Sequence, residues 1–293
     1  MKFKTTPYHG HLLKDYDRLS VFYEAIYEYA LKHNLESVNP KLIMNNSNPV
    51  KETIKDTVND IDEENLLNLI VYDLGCGSGI LSYFGKDYFN SIVSFEKESK
   101  IASCAKENLK DFENILVINE DVLNIDDIEK ADLIICEMLD TGLIDEEQVP
   151  TLNHFNKYLK ESGEIIPKGI FNIAEPVHMN RDIVHYEDDE SHPQYELIGE
   201  YITYGEIDFK EYIEPHFKDK LSFKINKDSI VNGIKITTFT KLNENIICGP
   251  TSMLNPSMFI PLEEKQVCQG DILNIELEYI MGSGVETIKT RIL

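Results

Sequence analysis

Leu69-Ile-Val-Tyr72-Asp73-Leu-Gly75-Cys-Gly77-Ser-Gly79-Ile80, with Glu96 at the end of the next apolar run, is the stretch whose reading decides the fold. Leu69 to Tyr72 form a short apolar run that reads as a buried strand. The glycines after it read as a turn in which missing β-carbons let backbone N–H groups approach a ligand. A dinucleotide loop of the form Gly-x-Gly-x-x-Gly seats a pyrophosphate on a helix N-terminus. Here Ile80 occupies the slot three after Gly77, and an acid, Asp73, opens the turn. The loop is of the nucleotide-binding type without the signature of a pyrophosphate site.

Downstream, strands at 68–73, 91–96, 115–119, 132–137 and 164–166 alternate with helices at 79–88, 98–110 and 147–160. That alternation predicts an α/β domain with a mostly parallel sheet and its ligand at the carboxyl ends of the strands. In the helix at 98–110, Ile101, Ala102, Ala105 and Leu109 share the face that covers the sheet. Upstream, Leu12, Leu13, Leu19, Phe22, Ile26, Tyr27 and Ala30 keep a helical period, which predicts an N-terminal helix or helix pair. Ser37 to Asn65 reads as a helix with polar connections. Beyond Pro167 the texture turns to short alternating segments at 170–178, 197–205, 220–225, 230–240, 257–261 and 270–280, which predict an antiparallel sheet or barrel. The run of acids from Glu187 reads as a solvated loop. The expected division is 1–65, 66–167 and 168–293.

The 293 residues carry 52 acids against 28 Lys and Arg, a net charge of −24. Sequence-independent binding of nucleic acid draws on Lys and Arg displacing counterions, so this balance disfavours it and favours a cationic partner. Five cysteines, odd in number and without Cys-x-x-Cys, argue against a disulfide framework and against a zinc site, and imply a reducing cytoplasm. No apolar run is long enough to span a membrane, and the N-terminus lacks a signal core.

Asp-x-Gly-x-Gly-x-Gly with an acid about 20 residues further on resembles the loop of Rossmann-like S-adenosylmethionine (SAM) enzymes. The resemblance implies that Asp73, Gly75, Gly77 and Gly79 make room for the methionine part, Glu96 takes the ribose hydroxyls and Asp121-Val122 the adenine edge. After the fourth strand, Glu137-Met-Leu-Asp-Thr-Gly-Leu-Ile-Asp-Glu146 places a second Glu nine residues after the first. This is similar to the double-Glu loop of the protein arginine methyltransferases. His9-Gly-His-Leu-Leu-Lys-Asp15-Tyr-Asp-Arg18 is similar to that family's His-x-x-Met-Leu-x-Asp-x-x-Arg segment. The family implies that Arg18 pairs with the SAM carboxylate, His9 lies near the cofactor, and Glu137 and Glu146 hold the acceptor nitrogen in catalysis. It also implies a C-terminal β-barrel-like domain after the Rossmann-like SAM-binding domain, and a homodimer.

Two carboxylates suit that task. A guanidinium, with a pKa of about 12.5 or above, has to be held and oriented rather than simply deprotonated. Two glutamates can clamp it bidentately and aim one nitrogen. Without a cation, carboxylates about 4 Å apart at an effective dielectric of about 20 repel by roughly 4 kcal/mol. The chain departs from the family where a Thr-His-Trp loop, whose His the resemblance pairs with the N-terminal Asp, here Asp15, is expected, near Ser252-Met253-Leu254, which holds no His. It has no Trp at all, and the dimerisation arm has no match. The sequence therefore points to a SAM-dependent methyltransferase acting on a protein, peptide or small cationic acceptor. An RNA or small-molecule methyltransferase of the same fold, and a non-catalytic SAM-binding module, stay open beside it.

Overall fold

In the computed structural model, residues 3–38, 67–187 and 194–293 are described; most of the Ser37–Asn65 connection and of the acidic loop after Glu187 lies outside them. The chain forms two compact units, each discontinuous in sequence. The first comprises Met1–Gly10, Phe22–Ile135 and Tyr158–Ile166, the second His11–Val21, Cys136–Lys157 and Pro167–Leu293. Two N-terminal helices, α1 (Pro7–Leu12) and α2 (Tyr16–Val38), run across the boundary.

The first unit is built on a five-stranded sheet of β1 (Leu67–Leu74), β2 (Phe89–Phe95), β3 (Ile115–Ile118), β4 (Ala131–Cys136) and β5 (Leu159–Ile166), in the order β3-β2-β1-β4-β5. The β1–β2, β2–β3 and β4–β5 ladders are parallel, as the alternation predicts. Helices α3 (Ile80–Gly85) and α4 (Ser99–Leu109) follow β1 and β2. Ala105 and Leu109 of α4 pack with Cys76 and Val117 in a core cluster, so the predicted face of this helix does cover the sheet. On α2, Phe22, Ala25, Ile26, Tyr29 and Ala30 are buried, a stripe at helical spacing.

Helix α3 is shorter than its predicted span of 79–88. It ends at Gly85, where a β-carbon would stand 2.9 Å from the Phe89 ring. Strand β5 starts earlier than predicted, at Leu159. Its ladder with β4 jumps from Ala131↔Leu159 to Leu133↔Glu164, and Gly163 sits within the skipped stretch against Leu159. Glycine and charge inside Leu159-Lys-Glu-Ser-Gly-Glu hide that strand from a reading based on apolar runs.

The second unit is antiparallel. Long strands β6 (Gly169–Met179) and β11 (Ser229–Lys241) pair over nine residues, from Gly233↔Val177 to Lys241↔Gly169. They centre a sheet in the order β7-β13-β11-β6-β8, with β9 also on β6 and β12 on β11. Its other members are β7 (His185–Tyr186), β8 (Tyr195–Leu197), β9 (Ile202–Asp208), β12 (Ile247–Cys248) and β13 (Met258–Val267). A second sheet pairs β10 (His216–Lys224) with β14 (Ile272–Ile280) and β14 with β15 (Lys289–Ile292). The predicted strand at 197–205 is two strands, and 257–261 extends to Val267 through the polar run Glu263-Glu-Lys-Gln266, which is exposed. Helix α5 (Gln148–Phe155) stops short of its predicted end, where the Asn156 amide donates to the Phe209 carbonyl at 3.1 Å. All five cysteines are free, and no described helix is long and apolar enough to cross a membrane.

Candidate active site

In the first unit, the turn after β1 has the conformation that its glycines allow. Gly75, Gly77 and Gly79 have φ of 70°, 55° and 87°, in the region that L side chains rarely adopt. Space is as restrictive as conformation. A β-carbon on Gly77 would meet the His9 ring at 3.0 Å, and one on Gly79 would stand 2.6 Å from Leu109 Cδ1. His9 is therefore packed on the loop, its Nδ1 2.8 Å from the Thr6 hydroxyl.

Glu96, buried at the end of β2, accepts from the Gly77 amide at 3.1 Å and from the Glu98 amide at 2.8 Å. Each oxygen keeps a second lone pair that a ligand hydroxyl can fill. Asp73 faces inward. Its Oδ2 accepts from the Ser82 amide at 3.0 Å and the Ser82 hydroxyl at 2.5 Å, and Ser82 Oγ lies 2.7 Å from Ser94 Oγ. Its position suits fixing the turn against α3. Asp121 accepts from the Leu123 amide at 2.9 Å and so caps the short turn Val122–Asn124, with Val122 buried. One residue that the sequence reading missed is Asn108. Its buried amide exchanges two bonds with the Lys4 backbone and donates to the Ser78 carbonyl, pinning the N-terminal segment to the glycine loop. A groove of about 530 Å³ on the face carrying Tyr72, Phe95 and Ile118 does not include the loop or Glu96 among its walls.

The second unit carries the acidic loop. Glu137 directly follows β4, and its Oε2 accepts from Arg18 Nη2. Both side chains are shielded, 9% and 4% exposed. Burial pushes the Glu137 carboxyl above its ordinary value, against the lowering pull of Arg18. The backbone on either side of Glu137 is held by one buried amide. Gln148 donates from Nε2 to the Cys136 carbonyl at 2.9 Å and accepts at Oε1 from the Met138 amide at 2.9 Å.

From Asp140 to Glu146 the loop is tied at several points. Thr141 Oγ1 donates to the Pro256 carbonyl, and the Gly142 amide to Thr238 Oγ1, at 2.7 and 2.8 Å. Leu143 is fully buried with a φ of 60°, a left-handed conformation that costs a non-glycine residue about 1–2 kcal/mol. The buried Asp140 carboxylate accepts from the amides of Ile144, Asp145 and Glu146 at 3.1, 2.9 and 3.2 Å. The Glu146 side chain itself is exposed.

The expected Thr-His-Trp histidine is absent, yet its partner position is filled. Asp15 Oδ2 accepts from the Thr251 hydroxyl and, at 3.1 Å, from the Met253 amide, while Oδ1 caps α2 by accepting from the Arg18 amide at 3.1 Å. A hydroxyl and a backbone amide do here what an imidazole was expected to do. Motif reading in search of His had no means of finding them.

No protein-family profile matches the chain. It is 38% identical over 293 residues, the whole of both chains, to an uncharacterized protein of Methanothermobacter thermautotrophicus. To an uncharacterized protein of Methanocaldococcus jannaschii it is 31% identical, covering 100% of this chain and 99% of the other. Shorter matches reach a histone-arginine methyltransferase of Anopheles gambiae, 35% identical over 113 residues, and protein arginine N-methyltransferase 7 of Danio rerio, 30% over 109. These span about a third of this chain and less than a fifth of those enzymes. Among solved structures, the Trypanosoma brucei PRMT1 enzyme-prozyme heterotetrameric complex with AdoHcy matches with a TM-score of 0.69 at 14% identity, over 97% of this chain and 96% of that one.

Proposed function

The chain belongs to the family of the two full-length archaeal proteins and has the fold of the protein arginine methyltransferases, and on that footing we propose that it is a SAM-dependent methyltransferase. The observation that carries the proposal is the glycine loop, with three positive-φ glycines braced by Glu96, in a fold whose solved neighbour holds AdoHcy. The loop fits SAM. His9 and Gly75, Gly77 and Gly79 leave backbone where the methionine part lies, Glu96 offers carboxylate oxygens to a ribose diol, and Asp121 and Val122 border the adenine. SAM supplies an electrophilic methyl group when bound.

What the chain's own residues do is hold the acceptor. Glu137 and Glu146 accept N–H bonds from a nitrogen that has to present its lone pair in line. Arg18 pulls the Glu137 carboxyl down against a burial that pushes it up. The acceptor we favour is a cationic group on a protein or peptide, an arginine-like guanidinium above all. The support is the pair of glutamates, the charge of −24 and the partial match to arginine methyltransferases. Free cysteines support a cytoplasmic location, and the heterotetrameric assembly of the solved neighbour supports an oligomer, which for this single chain we take as a homodimer.

The experiment is an unbiased transfer assay, with SAM labelled on its methyl group and a cell lysate split into protein, RNA and small-molecule fractions. Label in basic proteins supports the proposal. Label confined to RNA or small molecules overturns its acceptor, and no label in any fraction beside tight SAM binding favours a non-catalytic module.

A further inference from the structure

We propose that Asp140 is the positioning residue for Glu146, gathering the three consecutive backbone N–H groups of residues 144–146 onto one buried carboxylate and so fixing where the second glutamate stands. The inference rests on the reading of Glu146 as a glutamate that holds the methyl acceptor. Nothing in the resemblance that singled out Glu137 and Glu146 assigns Asp140 a role.

The geometry is that of a backbone nest closed by a side chain. Oδ2 accepts from the Ile144 and Asp145 amides and Oδ1 from the Glu146 amide, so both oxygens are engaged and the chain is folded around them. The Tyr186 hydroxyl on β7 adds a longer fourth bond, at 3.4 Å, to Oδ2. A carboxylate can accept all four, whereas a carboxylic acid gives up part of its acceptor capacity to its own proton. The carbonyls of Leu143 and Ile144 accept from the amides of Gly282, Ser283 and Gly284, so what Asp140 adds is the anchor of the amide side of residues 144–146. Thr141 and Gly142 are fixed at its other end, and the left-handed Leu143 separates that anchor from this one.

The surroundings make the ionisation state responsive. The titratable groups around Asp140 are Tyr186 on β7, Tyr279 on β14, and Asp145 and Glu146 on its own loop. Burial first, and then the two loop acids, push the Asp140 carboxyl up to about 7, against the lowering pull of the Asp145 and Glu146 amides. The loop is therefore held above about pH 7 and slackens below it, a range in which an ordinary aspartate does not titrate. The backbone flanking Glu137 is held differently, by the non-titrating amide of Gln148.

The test is amide hydrogen exchange of the full chain across residues 140–147, followed from pH 5.5 to 8.5 and corrected for intrinsic rates, with SAM affinity measured by calorimetry on the same samples. In the unsubstituted protein, protection of residues 144–146 should fall as pH drops through about 7. In Asp140→Asn, exchange of these amides at pH 8 should be about tenfold faster or more and nearly independent of pH, with protection in α5 and the SAM dissociation constant unchanged. Tyr186→Phe removes a donor to the ionised form and should move the midpoint upward, and it decides the matter if Asp140→Asn loses protection throughout. Protection of residues 144–146 that survives Asp140→Asn within about twofold, or a midpoint unmoved by Tyr186→Phe when Asp140→Asn does not fold, overturns the proposal. Absence of SAM binding overturns the enzyme reading and, with it, the purpose assigned to the loop, while the exchange data still report whether Asp140 holds it.

Discussion

Asp140→Asn should change how stability depends on pH, and the size of the change follows from the site. Burial holds the Asp140 carboxyl at about 7 in the folded protein against an ordinary value of 3.8. Because the folded-state value is raised, the folded chain binds the extra proton between these limits. The stability contribution is full below about pH 4 and is lost as pH rises through about 7. At about 1.4 kcal/mol per unit, the whole window corresponds to about 4 kcal/mol. Roughly 2–3 kcal/mol of that falls between pH 5 and pH 8. Asparagine does not titrate, so its own contribution is the same at both pH values and the pH dependence of the difference is that of Asp140.

The unfolding free energy of the unsubstituted protein minus that of the variant should therefore shrink by about 2–3 kcal/mol from pH 5 to pH 8. Urea unfolding at constant ionic strength measures it, with tyrosine emission as the probe because the chain has 15 Tyr and no Trp. A difference constant within about 0.5 kcal/mol, or one that grows with pH, refutes the reasoning. The ionised form that fixes the loop is thus the one that the fold tolerates least, an opposition of the kind expected at a functional site.

Three further outcomes follow from the geometry. Gln148→Leu leaves the buried Cys136 carbonyl and Met138 amide without their side-chain partner and should cost about 2–4 kcal/mol in denaturant unfolding; SAM affinity should stay within twofold while methyl transfer falls, and unchanged transfer would mean that the clamp does not position Glu137. Glu96→Gln turns one acceptor oxygen into a donor facing the Gly77 or Glu98 amide, so calorimetry should show SAM affinity weakened about tenfold or more; equal affinity would remove Glu96 from the cofactor site. Thr251→Val removes one charge-assisted bond to Asp15 but leaves those from the Met253 and Arg18 amides, so the loss in unfolding free energy should be about 1.5–3 kcal/mol; a loss below about 0.5 kcal/mol would deny the hydroxyl the part assigned to it.

The parallel sheet was legible in the sequence because its strands are apolar runs and its turn is written in glycines. Gly77 and Gly79 have to be glycine for reasons of φ and of space, so the residue type alone carried the conformation. Strand β5 was not legible beyond its end, since glycine and charge interrupt it. The long strand Met258–Val267 lost its outer half in the reading because Glu263 to Gln266 are exposed and polar. Of the candidate site residues, Glu96 is picked out by its place at a strand end about 20 residues beyond the glycine loop, and Glu137 by the resemblance to a double-Glu loop. Asn108, Asp140 and Gln148 could not be found, because each acts on backbone groups brought near by the fold, and Thr251 could not, because the carboxylate it meets is distant in the chain. Asp15 was visible only through a resemblance, and its partner, a threonine where a histidine was expected, lies 236 residues away in the chain.

The central claim is that the glycine loop and Glu96 bind SAM. Calorimetric titration of the full chain with SAM tests it most directly. The account predicts one site per chain with a dissociation constant in the micromolar range, lost or weakened about tenfold or more in Glu96→Gln. A folded protein that gives no binding signal at micromolar concentration, or that binds SAM equally well without the Glu96 carboxylate, would contradict it.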